Sequence, residues 1–217
     1  NDLVFITKFL LLSYESIKDA QKYIPDFLEE IIKKNLNCIK FFQTPKNQVP
    51  LFNGGSENDL KYFEKYLENF KINKKIKKDS IGGIYFAKSK QQILYFDVGA
   101  PPKKNFSTNY QSGPLSFEYF LDGVKIITNC GFGMNISPKA ELVSRLTASQ
   151  STLTINDTSV NKFERNKLIN KIFGNSIKNT FKTSDLSVKD NKSSVGCSRS
   201  EEHTSELQSP MYLVCRL

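Results

Sequence analysis

Ser116–Thr128 reads SFEYFLDGVKIIT, and the fold turns on how this stretch is read. Two runs rich in Phe, Tyr, Val and Ile flank Asp122-Gly123. That dipeptide suits the positive φ angles of a tight type I′ turn, so the stretch predicts an antiparallel hairpin. Working outward, Ile81–Ala87 and Gln92–Val98 are strand-like and separated by a polar turn. Ser151–Asn156 (STLTIN) alternates and ends at a second turn, Asn156-Asp157. Lys182–Ser198 is polar and weakly patterned. Gly82-Gly83 and Gly131–Gly133 lack the strand-to-helix setting of a phosphate loop and read as turns and bulges.

Toward the N-terminus the period changes. Leu3–Ala20 has apolar residues at three-to-four spacing, which predicts a helix. Pro25 reads as an early helix residue followed by Asp26, Glu29 and Glu30, with Phe27, Leu28, Ile31, Ile32 and Leu36 on one face. After a loop containing Pro45, Pro50 and Gly54-Gly55, Ser56 reads as an N-cap with Asp59 three residues on. Leu60, Phe63, Tyr66, Leu67 and Phe70 then form an apolar stripe. Helices followed by strands predict a multidomain α+β chain, helical over 1–78 and β over 79–198. Lys71–Lys78 (KINKKIKK) has no interleaved aromatics and reads as an exposed linker rather than a nucleic-acid stripe.

The tail Arg199–Leu217 (RSEEHTSELQSPMYLVCRL) stands apart. It resembles the translation of a short-read sequencing adapter and is set aside as an artefactual fusion scar. It holds the one histidine, His203, so residues 1–198 contain none. The chain has 31 basic and 22 acidic residues; removing the tail's two and three leaves a net charge of +10. Such a balance favours an acidic partner or is simply a solvated lysine-rich surface. Cys38, Cys130 and Cys197 have no metal spacing, and Cys130 reads as a small buried residue rather than a nucleophile. Leu3–Leu12 is apolar but about half the length of a membrane span.

Four blocks, in order, give a resemblance. They are Leu51-Phe52-Asn53-Gly54; Asp97-Val98-Gly99-Ala100-Pro101; Leu115-Ser116-Phe117-Glu118 with Asp122-Gly123 and Asn129-Cys130-Gly131; and Arg145-Leu146-Thr147-Ala148-Ser149-Gln150-Ser151-Thr152-Leu153. Together they resemble the heparinase II/III-like family of polysaccharide lyases over roughly residues 45–160. The resemblance implies the end of an α/α toroid followed by an antiparallel β-sandwich domain, both truncated here. It implies β-elimination on a uronic-acid-containing acidic polysaccharide, with no nucleic-acid or membrane partner. The oligomeric state and the compartment, bacterial periplasm or cytoplasm, stay open.

β-Elimination needs a group to neutralise the uronate carboxylate, a base to take the neighbouring proton and an acid to protonate the leaving oxygen. The sequence departs from the family where those groups are expected. Where relatives carry H-x-H-x-D, this chain has Asn109-Tyr110-Gln111-Ser112-Gly113, and Gln150 replaces the later histidine. An amide is neither a base nor a good zinc ligand, so the expectation is no metal and no cofactor. Tyr110 is the candidate proton shuttle. Asn53, Asn109, Gln111, Arg145 and Gln150 are the candidate substrate-binding residues, with Arg145 pairing a carboxylate or sulfate bidentately or serving an ordinary ion pair. Tyr119 either stacks on sugar or packs by strand alternation. The main reading is a lyase fragment whose principal catalytic residues lie elsewhere. The alternatives are a non-catalytic relative that binds polyanionic glycan, and a basic nucleic-acid-binding or structural β domain.

Overall fold

The computed structural model describes residues 2–57, 60–72, 80–154, 156–164, 166, 168–170, 174–178, 182–191, 194–202 and 209–216, the last three spans as backbone only. Asp59, residues 73–79 and His203 lie outside them, and with them the capping partner, most of the basic linker and the lone imidazole.

Two antiparallel helices open the chain, α1 (Asp2–Asp19) and α2 (Asp26–Phe42). Pro25 is the N-cap of α2, with Asp26 and Glu29 in its first turn. The buried stripe of α2 is Leu28, Ile32, Leu36 and Ile39. Phe27 and Ile31, expected on the same face, are exposed instead. A 3₁₀ turn (Lys61–Phe63) leads into the short α3 (Glu64–Asn69), so the helix starts later than Ser56. Leu60, Phe63, Tyr66 and Leu67 close a core with Leu11, Leu28 and Ile32. Among the described residues no helix is long and apolar enough to cross a membrane.

Five strands follow in a meander of order β1-β2-β3-β4-β5, antiparallel throughout: β1 (Ser80–Ile81), β2 (Ile84–Lys88), β3 (Gln92–Asp97), β4 (Phe117–Leu121) and β5 (Val124–Ile127). The β4–β5 turn is the expected one, with Asp122 at φ 50° and Gly123 at φ 74°. The predicted single strand Ile81–Ala87 is divided by Gly82-Gly83 into β1 and β2. Gly83, at φ 82°, approaches the Gly99 backbone so closely that a Cβ would sit 2.5 Å from the Gly99 Cα. The middle strands are covered on both faces, while β5 is largely exposed. Ile84, Ile93, Tyr95 and Phe120 meet Phe41 at the end of α2, while Tyr85, Leu94, Phe96 and Leu115 form a second cluster on the other face. Tyr95 donates its hydroxyl to the Phe41 carbonyl at 3.1 Å, pinning helix to sheet. Tyr119 is half-buried against the second cluster, as strand alternation requires.

Pro138–Ser144 is a helix, α4, capped by Ser137, whose Oγ accepts from Ala140 N. The strand-like Ser151–Asn156 does not become a strand. Thr147–Ser149 is a 3₁₀ turn, and Ser151–Thr154 forms no ladder. The hydroxyls of Ser151 and Thr152 are hooked instead onto the carbonyls of Phe117 and Pro114, satisfying by side chain what a strand would satisfy by backbone. Farther on, β6 (Lys182–Asn191), β7 (Ser194–Glu202) and β8 (Ser209–Arg216) form a separate three-stranded sheet, of which β8 and the end of β7 from Arg199 onward belong to the tail set aside above.

Candidate functional site

Four segments meet where the helices give way to the sheet: the 51–55 loop, the 109–116 loop, the 129–133 turn and the end of α4. Asn53 and Gly54 both take positive φ, 43° and 85°. This turns the Asn53 side chain toward the sheet. Its Nδ2 donates to Asp97 Oδ2 at 3.1 Å and its Oδ1 accepts from Gln111 N at 3.3 Å. A Cβ on Gly54 would lie 2.9 Å from the Asn109 Cβ, so only glycine lets Asn109 close over the loop. Asn53, Asn109 and Gln111, far apart in sequence, therefore adjoin.

Gln111 is buried and fully engaged. Its Oε1 accepts from Gly54 N at 3.1 Å, and its Nε2 donates to Gly131 O at 2.8 Å and Ser144 O at 2.9 Å. Gln150, also buried, donates its Nε2 to the same Ser144 O at 2.7 Å. Cys130 Sγ approaches that oxygen at 3.7 Å and the Gly131 carbonyl at 3.2 Å. Contrary to expectation Cys130 is an exposed residue, although partial burial of its sulfur pushes the thiol up and away from the reactive thiolate.

Two of the candidates are corrected by their surroundings. Arg145 was expected to hold a substrate anion or an ion pair. Its side chain is wholly buried and spent on carbonyl oxygens: Tyr110 at 2.9 Å, Ser107 at 2.7 Å, and Asn175, with the Phe163 ring 4.2 Å from its Cζ. Burial lowers its pKa to about 10, which leaves it charged at neutral pH. Tyr110 was expected to shuttle protons, but its ring is enclosed with Phe163 and Ile177. Gln111 and Gln150 are likewise interior. Of the six candidates, Asn53 and Asn109 are the two that reach solvent.

Glu118 is the residue that sequence reasoning passed over. It sits in the middle of β4, fully buried, with Oε1 accepting from Leu51 N at 2.9 Å, Asn129 N at 3.0 Å and Thr128 Oγ1 at 3.2 Å. Among the described residues its Oε2 has no hydrogen-bond partner. Desolvation raises its pKa above the ordinary 4.5, opposed by those donors and by Lys125. The signal was available: a lone carboxylate sharing the inward face of SFEYF with Phe120 must find donors inside.

The family model for the heparinase II/III-like C-terminal region matches residues 73–205, more than half of the chain. The chain belongs to the heparinase II/III-like family. Three solved structures share its fold. A mutant of the heparan sulfate lyase HepC from Pedobacter heparinus has a TM-score of 0.69 at 16% identity, over 98% of this chain and 35% of that one. The unaltered HepC gives 0.66 at 14%, again over 98% and 35%. Heparinase III gives 0.65 at 13%, over 98% and 37%. The chain thus spans little more than a third of the length of those proteins. No curated protein matches the sequence.

Membership in the heparinase II/III-like family raises the question of a metal at the positions where the resemblance implied histidines. The residues present do not fit one. At Gln111 and Gln150 the hydrogen-bond partners fix the orientation: each NH₂ faces carbonyl oxygens, so amide hydrogens, not lone pairs, point inward. Among the described residues no three His, Cys, Asp or Glu side chains are grouped to hold a cation.

Proposed function

We propose that this chain is part of a polysaccharide lyase that cleaves a uronic-acid-containing acidic polysaccharide by β-elimination. The observation that supports the reading is the family match across residues 73–205. Asn53 and Asn109 are the residues of the sheet junction assigned to the substrate. The exposed Asn53, through the amide hydrogen not given to Asp97, and the half-buried Asn109 would donate to the uronate carboxylate and so acidify the neighbouring C–H. Asn53 also lines a cavity of about 270 Å³ between α1, α2 and β2, but the apolar interior of that cavity, Leu3, Val4, Ile39, Phe42 and Ile84, offers a polyanion no counter-charge, so only its Asn53 rim is assigned to the polymer. Proton transfer is assigned to parts of a longer protein, since Tyr110 is enclosed and residues 1–198 hold no histidine.

That same shortage of a proton-transfer group favours a second reading, a non-catalytic relative that binds polyanionic glycan. Incubation with heparan sulfate and with alginate separates the two. Growth of the ultraviolet band of unsaturated uronate is expected from a lyase. Salt-sensitive retention on immobilised heparan sulfate without any such band supports the binder. A chain that does neither contradicts both. For a product that cleaves, Asn53→Ala is expected to lower kcat/KM by roughly 10²-fold, the loss of one preorganised donor.

A further inference from the structure

We propose that Gln111 and Gln150 form a metal-independent lock, in which two carboxamides gathered on the Ser144 carbonyl oxygen hold the 109–113 loop, the 130–133 turn and the end of α4 together. The assignment stands apart from whether the chain cleaves polysaccharide.

The geometry is that of a closed hydrogen-bond node. Ser144 O receives Gln111 Nε2 at 2.9 Å and Gln150 Nε2 at 2.7 Å. The second hydrogen of Gln111 Nε2 goes to Gly131 O at 2.8 Å, and its Oε1 takes Gly54 N at 3.1 Å, so one side chain bridges four segments. Ser144 adds a link of its own: its Oγ accepts from Gly133 N at 3.0 Å and donates to Glu141 O at 2.8 Å. Reversing either carboxamide would set its oxygen against carbonyl oxygens, so the donor-inward orientation is enforced.

Gly113 and Gln150 fit one another. A Cβ on Gly113 would meet Gln150 Cγ at 2.9 Å, and Gln150 Cβ and Ser116 Oγ at 3.0 Å. A side chain at 113 and the observed Gln150 therefore exclude each other. Gly113 and Gln150 thus form a matched pair. Three-way cross-linking of loops, the work a structural metal does, is done here by amides.

The test uses the full chain. Metal content is measured after purification, and thermal melts are run with EDTA and with added Zn²⁺ or Ca²⁺. The lock predicts substoichiometric metal and a Tm that neither treatment moves. Gln111→Glu and Gln150→Glu keep the shape but turn a donor into a charged acceptor facing carbonyls. Each is expected to lower Tm at pH 7 by roughly 2–10 °C, to recover part of the loss near pH 4 on protonation, and to gain nothing from metal. Stoichiometric bound metal, a Tm that falls in EDTA, or carboxylate variants that melt like the parent or are raised by Zn²⁺ or Ca²⁺ would each overturn the proposal. The EDTA and metal melts of the unsubstituted chain decide the matter even where a variant does not fold.

Discussion

Replacing Arg145 with methionine is expected to cost the chain about 3 kcal/mol or more of stability. The guanidinium is buried and draws together three segments through the carbonyls of Ser107, Tyr110 and Asn175. Methionine fills a similar volume but leaves those oxygens without their donor, and the Phe163 ring without the cation stacked on it. Lysine is expected to lose an intermediate amount, because one ammonium cannot serve three divergent acceptors as a planar guanidinium does. Urea denaturation at neutral pH reads both, as a shift in midpoint with little change in slope. A methionine variant within about 1 kcal/mol of the parent would mean that the carbonyls are satisfied by other means.

The second large effect falls on Glu118. Glu118→Ala removes the acceptor for two buried backbone N–H groups, Leu51 and Asn129, and for the Thr128 hydroxyl, an expected loss of about 3 kcal/mol. Glu118→Gln keeps an acceptor in place and is expected to stay much closer to the parent. The two also differ in pH dependence. The folded-state pKa of Glu118 lies above its ordinary value of 4.5. A carboxyl so raised contributes fully below that ordinary value, and its contribution is lost as pH rises through the folded-state value. The parent should therefore lose stability relative to Glu118→Gln as pH rises from about 4.5 toward neutrality. Parallel stability–pH curves for parent and glutamine variant would contradict a desolvated carboxyl at this position.

The parts of the fold that were legible are those fixed by local chemistry. Asp122-Gly123 specified its hairpin because few other residues accept two consecutive positive φ values. The stripes of α1 and α2 followed from spacing, although which of Phe27 and Leu28 turned inward depended on the partner helix. Gly82-Gly83 was read as a turn, yet its division of a strand into β1 and β2 depends on the Gly99 backbone beside it. The helix Pro138–Ser144 had a readable Ser-Pro start with Glu141 in its first turn, whereas the alternation of Ser151–Asn156 pointed to a strand that does not form. At the site, the structure brings Asn53, Asn109, Gln111 and Gln150 to one junction. Which of them face solvent was not legible, because burial there is set by contacts between residues tens of positions apart, such as Gly54 on Asn109 and Gly113 on Gln150.

A single principle therefore organises the junction: side-chain amides and one carboxylate satisfy backbone groups that no helix or strand reaches. Native-state amide hydrogen exchange tests it most directly. Leu51 N, Gly54 N, Gln111 N and Asn129 N bond to Glu118, Gln111, Asn53 and Glu118 side chains, outside any ladder. These four amides are expected to be protected to nearly the same degree as those of β3, exchanging through the same large-scale opening. Exchange of the four at the rate of open loops, with β3 still protected, would contradict the account.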